Sequence, residues 1–170
     1  MPISSYLKSV REKVGHDLLT MTAVAVAIFD AEGRLLLGGD TEMGCWTLPG
    51  GAVDPNEQPA DAAARECFEE TGLIVKLDAL IGLFGGPEFL VHYRNADVTY
   101  YTTAAFRASI VGGSHKPLDG EFSDLRYFSR SECDSLNTSP SCRIISRQAF
   151  AAASQPYFAS ATWMPPKPGG

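Results

Sequence analysis

Glu66, Glu69 and Glu70 stand at positions i, i+3 and i+4 of an Ala- and Glu-rich stretch that opens on Pro59 and closes before Gly72. In a helix of 3.6 residues per turn, that spacing gathers three side chains within an arc of roughly 100°. Like charges so placed cost the helix tenths of a kcal/mol per pair, so the cluster does not serve helix stability. Hard divalent cations prefer oxygen ligands, and Mg²⁺ is held by one or two carboxylates completed by water and phosphate oxygens. The bland alternative is a solvated acidic helix face, the usual fate of glutamate side chains. The residues around the cluster decide between the two.

The helix expected over Pro59–Thr71 has proline near its start and Gly72 at its end. Its other stripe, Ala60, Ala64, Cys67, Phe68 and Thr71, is suited to packing on a sheet. Upstream, the run Trp46, Thr47, Leu48, Pro49, Gly50, Gly51 must break regular structure just before the helix. Val- and Ala-rich residues 21–29 and the apolar run 35–37 flank the turn residues 30–33 and read as a hairpin. Further strands are expected over 73–77, 79–84, 89–93, 98–108 and 125–128, with a second substantial helix over 139–153. Tyr6, Leu7, Val10 and Val14 place a short amphipathic helix at about 4–14, whereas the Pro- and Gly-rich tail, about 155–170, is expected to lack regular structure. Strands interleaved with a central and a late helix predict an α+β fold, an α/β/α sandwich whose mixed β-sheet is flanked by helices, as a single domain over residues 1–170.

Composition narrows the function. With 170 residues, 45% apolar and 20% charged, the chain is ordinary for a folded globular domain. A net charge of −6 disfavours nucleic-acid partners, because such binding relies on many basic residues displacing phosphate counterions, yet it leaves room for a small phosphorylated ligand whose charge a metal offsets. Residues 23–29 form an apolar run too short to span a bilayer and the first residues mix charged with polar types, so the reading is cytoplasmic, with no membrane partner. Cys45, Cys67, Cys133 and Cys142 lack zinc-ligand spacing and are expected to be free thiols. His16, His92 and His115 are isolated along the chain.

Gly51, Glu57, Arg65, Glu66, Glu69, Glu70 and Gly72 satisfy the spacing G-x5-E-x7-R-E-U-x-E-E-x-G-U, in which U is apolar and the last U is Leu73. This pattern resembles the Nudix box. Seven fixed residues at ordinary background frequencies coincide by chance in on the order of 10⁻⁸ of windows. One position departs from the family: the first U, usually aliphatic, is Cys67, which packs as a small hydrophobe. The resemblance runs from about Thr20 to Glu132 and includes the "WTLPGG" approach and the "DGEFSDLRYF" stretch. It implies the sandwich fold already expected, and a hydrolase of diphosphate bonds that uses Mg²⁺, with Mn²⁺ as the alternative ion. By the same resemblance Glu66, Glu69, Glu70 and the Gly51 carbonyl are the metal ligands, Arg65, Glu57 and Gly72 are structural, and Glu121 is the carboxylate added from outside the box, with Asp124 as runner-up. Homodimerisation is likewise an expectation from the family.

The substrate is less legible. The motif specifies diphosphate chemistry, and recognition of the attached group belongs to residues outside it. Trp46, Phe84 and Tyr93 are the candidate contacts, with Phe89 and Tyr100 behind them, since aromatic faces stack on bases, although aromatics in strands more often pack the core. The expected partner is a small nucleotide-type diphosphate, first a nucleoside diphosphate linked to another moiety, of the nucleotide-sugar or ADP-ribose type. A nucleoside triphosphate, such as an oxidatively damaged one, is the alternative, and a non-catalytic nucleotide-sensing module is a third reading that the intact glutamate set opposes.

Overall fold

A computed structural model describes residues 4–165. Its strands are β1 (Leu19–Ile28), β2 (Leu35–Asp40), β3 (Trp46–Thr47), β4 (Leu73–Phe84), β5 (Leu90–His92), β6 (Val98–Gly113) and β7 (Phe122–Phe128). Its helices are α1 (Ser5–Val14), α2 (Pro59–Thr71), α3 (Arg130–Ser135) and α4 (Pro140–Ala151). β1 pairs parallel with β6, β6 pairs antiparallel with β4 and β5, and β3, β2 and β7 form a second, antiparallel sheet. The mixed sheet and flanking helices are the sandwich that the sequence predicts.

β1 explains the layering. Alternate side chains of a strand point to opposite faces, and here Val24, Val26 and Ile28 pack with Ala62, Ala63 and Cys67 of α2, while Ala25 and Ala27 pack with Cys142, Ile145 and Ala149 of α4. Burial on both faces is why this strand reads as a continuous apolar run instead of an alternating one. β2 divides in the same way, Leu36 to the α2 side and Leu35 and Leu37 to the α4 side.

Several expectations change in detail. The turn at 30–33 forms, with Asp30 N–H donating to the Arg34 carbonyl, but the hairpin goes no further than one Phe29–Leu35 bridge before its strands enter different sheets. The two strands expected over 73–84 are one, β4, whose register shifts at bulges between Leu77 and Ala79 and between Leu80 and Gly82. On α2 the packed stripe is Ala62, Ala63, Cys67 and Thr71, whereas Phe68 and Ala60 are exposed, so the helix is rotated from the face inferred for it. That rotation brings Glu66 and Glu70 under cover. α1 forms as expected, capped by Ser4, but buries none of its residues fully. The tail contributes one bridge, with Tyr157 N–H donating to the Ile81 carbonyl and Leu83 N–H to the Tyr157 carbonyl, and residues 166–170 of the Pro- and Gly-rich segment lie outside the described residues.

Candidate active site

The glycine turn before α2 is locked to the free edge of β1. Val26 N–H donates to the Pro49 carbonyl at 2.8 Å, Val24 N–H to the Gly51 carbonyl at 2.9 Å, and Val53 N–H to the Thr22 carbonyl at 3.1 Å. Gly50 adopts φ 152°, and a side chain there would meet the Val24 carbonyl at 2.1 Å. At Gly51 an added Cβ would lie 2.6 Å from the Glu66 carboxyl group, so a side chain there would displace that carboxyl from its place against the turn. The Gly50 N–H donates to the Glu70 carboxylate at 2.7 Å. α2 is thus seated with its acidic face against the turn, ended by Gly72 at φ 71° with its N–H on the Phe68 carbonyl.

Arg65 is the hub of the cluster. Its guanidinium donates to both oxygens of Glu57 at 2.8 and 2.9 Å, to Glu66 at 2.9 Å, to Glu69 at 3.0 Å and to the Ala52 carbonyl at 3.2 Å. The structural pairing expected with Glu57 or Glu69 therefore occurs with both at once. Glu57 also accepts from Asp54 N–H, tying down the loop before α2. One guanidinium thus faces Glu57, Glu66 and Glu69, while Glu70 is met by the Gly50 N–H.

Burial makes this excess of negative charge costly. Glu66 and Glu70 are only 7% and 3% exposed. Desolvation is the largest influence on both and pushes each carboxyl above its ordinary range; Arg65 opposes the shift at Glu66, and the Gly50 N–H opposes it at Glu70. Glu57 goes the other way, drawn down by its bonds to Arg65. Buried carboxylates short of positive charge suit a divalent cation. Among the described residues, however, no three acidic, His or Cys side chains converge into a ready-made metal cage. The trio inferred from helical spacing is divided, with Glu69 turned to Arg65 and Glu70 to the turn. The Gly51 carbonyl accepts from Val24 and keeps its second lone pair for another partner.

Beside the turn lies a cavity of about 180 Å³. Gly50, Gly51 and Ala52 border it on one side, β1 and β6 supply Ala25 and Thr103, and Ser141 and Cys142 come from the first turn of α4. That turn is held in place because Trp46 N–H donates to the Asn137 carbonyl and Ser139 N–H to the Trp46 carbonyl. Of the aromatic contacts expected from sequence, Tyr93 and Phe89 line the cavity. Phe84 does not: it is buried in the core, stacked between Phe89 and Tyr157. Trp46 does not either, since its ring packs edge-on against Phe128 and under Arg126. Both positions follow from strand geometry that the local sequence does not show.

Sequence reasoning also missed residues. Tyr101 lines the cavity and shares a 2.7 Å hydroxyl contact with Tyr93. Asp119 and Asp40 are close enough to Glu70 for their charge to raise its carboxyl further. Asp119 is two residues before Glu121, in the same acidic stretch that the sequence pointed to. Glu121 uses its backbone, carbonyl to Thr41 and N–H to Asp119, to close the 114–121 segment on the end of β2. Asp124 pairs with Arg126 on β7. His16 bonds to Asp97 and His115 packs on Tyr127.

Known proteins resemble this chain in sequence and in fold. A family model described as the NUDIX domain matches residues 19–146. The chain is 33% identical over 123 residues to an ADP-ribose pyrophosphatase of Methanocaldococcus jannaschii, covering 68% of this chain and 69% of that one. It is 34% identical over 79 residues to a MutT-like protein of Streptomyces ambofaciens, covering 46% of this chain and 51% of the relative, so it spans about half that relative's length. The crystal structure of a MutT protein from Methanosarcina mazei superposes with a TM-score of 0.64 at 23% identity, covering 78% of this chain and 95% of that one, which is a likeness of fold.

Proposed function

The chain belongs to the NUDIX domain family, and from that premise we propose that it hydrolyses the diphosphate linkage of a nucleoside diphosphate joined to another moiety. The observation that carries the proposal is the seating of Glu66 and Glu70, buried and short of positive charge, against a glycine turn that borders a ligand-sized cavity. The M. jannaschii relative named an ADP-ribose pyrophosphatase is consistent with this substrate class. A nucleotide-sensing module without turnover would have no need of the charge excess at these glutamates.

Glu66, Glu69 and Glu70, with the Gly51 carbonyl, are the groups that would hold Mg²⁺ or Mn²⁺. Bound there, the ion supplies charge neutralisation of diphosphate oxygens and lowers the pKa of a water ligand. Arg65 bonds Glu66 and Glu69 directly and ties them to the loop that carries Glu57. The Gly50 N–H orients Glu70 by bonding one of its oxygens. Among the carboxylates outside the box, Glu121 is the candidate for a further ligand or the general base, and Asp119 is the competing candidate because its charge reaches Glu70.

The test is a hydrolysis screen over nucleotide sugars, ADP-ribose and nucleoside triphosphates with Mg²⁺ or Mn²⁺, scored by product identity. Metal-dependent cleavage of a nucleoside diphosphate linked to a second moiety is expected. Preference for triphosphates would replace the substrate class, and no turnover of any diphosphate would favour the sensing module.

A further inference from the structure

The cavity beside the glycine turn is lined without Asp, Glu, Lys, Arg or His among the described residues. Its polar groups are neutral, and its Cys142 thiol is kept protonated, pushed up to about 12 by burial. The Tyr93 and Tyr101 hydroxyls are likewise held neutral by desolvation, and the negative charge of Glu42 adds to that effect at both. Arg11 sends a positive influence toward Tyr101, but its guanidinium is committed to Asp97, Thr99 and the Val98 carbonyl. A phosphorylated ring entering here would bury charge against walls that offer no cationic side chain to meet it, which is strongly unfavourable.

The remaining walls discriminate further. Leu48, Phe89, Val91 and Ile145 are apolar, so they suit the flat faces of a base better than a sugar carrying hydroxyls all round. Whole small-molecule ligands occupy pockets of roughly 300–1,000 Å³, and about 180 Å³ is room for one ring system with the diphosphate outside, over Gly50 and Gly51. Tyr93 and Tyr101 bond each other at 2.7 Å and Tyr101 also bonds Thr99, so the capacity to donate to and accept from a ring edge remains chiefly at the Tyr93 hydroxyl.

We propose that the Tyr93 and Tyr101 hydroxyl pair is the specificity element of this cavity and selects an uncharged nucleobase over a phosphorylated ring. The proposal deepens the hydrolase reading and rests on it for the placement of the diphosphate. It predicts that the base is read by hydroxyls on β6 and in the residues following β5, and that the metal-binding glutamates take no part in the choice.

The test is calorimetric titration of the full chain, without metal, with four uncharged nucleosides, with ribose and with inositol hexakisphosphate. One nucleoside is expected to bind, and ribose and inositol hexakisphosphate are not. Tyr93→Phe and Tyr101→Phe keep the rings and remove the hydroxyls, and each should weaken nucleoside binding roughly 5- to 10-fold while lowering the melting temperature by only about 2–4 °C for the lost hydroxyl bond. The double variant Tyr93→Phe/Tyr101→Phe, which removes both partners of the bond and so leaves neither hydroxyl of the pair stranded, carries the test if either single variant melts early. For the matching nucleotide substrate, KM should rise by the same factor with kcat within about twofold of wild type. Binding of ribose or inositol hexakisphosphate in preference to nucleosides, or nucleoside affinity unaltered in the folded hydroxyl-deletion variants, would overturn the proposal. Hydroxyl-dependent nucleoside binding without any turnover sinks the hydrolase reading alone, and turnover indifferent to the hydroxyls sinks this one alone.

Discussion

Glu70 carries opposing demands in a single side chain. It is almost fully buried, its neighbours Glu66, Asp119 and Asp40 all disfavour its ionised form, and one backbone N–H is the partner that favours it. A carboxyl raised in the folded state stabilises the fold below its unfolded pKa, and that contribution is lost as pH rises through the folded value. Glu70→Gln keeps an acceptor for Gly50 N–H and removes the charge, so in chelator at neutral pH the variant should melt above wild type. The expected gain is at least about 2–4 °C, the shift that 1 kcal/mol produces in a chain of this size. The gain should shrink as pH falls and wild-type Glu70 takes up its proton; equal melting temperatures at neutral pH would show that the carboxylate is not strained. The same variant should lose orders of magnitude in rate with metal present, measured on the best substrate of the screen. The type and spacing of this residue were plain in the sequence. Its burial was not, because that depends on a turn twenty residues earlier pressing on the helix.

Elements were legible where their signals were local. Pro59 and Gly72 bracket α2 as proline and glycine usually bracket helices, and β1 is long, apolar and bounded by turn residues. What stayed hidden depends on pairing: the separation of β1 and β2 into two sheets, the joining of 73–84 into one bulged strand, and the six-residue α3, whose capping box Ser129 and Glu132 was the signal to read. The apolar stripe read as an amphipathic helix at α1 buries no residue fully, and Arg11 fastens it, donating to the Gly15, Asp17 and Val98 carbonyls and to Thr99, and pairing with Asp97. Arg11→Ala should therefore release the helix, speeding amide exchange across residues 5–14 and lowering global stability by about 2 kcal/mol. Unchanged exchange there would show that Leu7 and Val10 hold the helix without it. At the other end, Tyr157 bridges to β4 beside Gly82 and stacks on Phe84 at 5.0 Å. Tyr157→Ala should cost about 2 kcal/mol in urea unfolding.

At the scale of the whole molecule, the candidate site lies where the two cores meet. β1 shares one face with α2 and the other with α4, and the glycine turn bonded to its edge has the acidic cluster beside it and the cavity lined partly by α4. A divalent ion bound to the α2 glutamates would relieve the charge excess in a part of the structure that both cores support, so its binding should be read as stability of the entire domain. An ion that binds only the folded state at 100 times its dissociation constant adds about 2.7 kcal/mol. For a chain of this length, that corresponds to a rise of roughly 5–10 °C in Tm over the chelated protein. Glu70→Gln, already relieved of one buried charge, should show less than half that rise at the same Mg²⁺ concentration, although it starts from the higher baseline. Tm measured against Mg²⁺ concentration for both proteins checks this directly: equal shifts would place the ion away from Glu70, and no shift in wild type would leave the buried carboxylates without the cation that their surroundings call for.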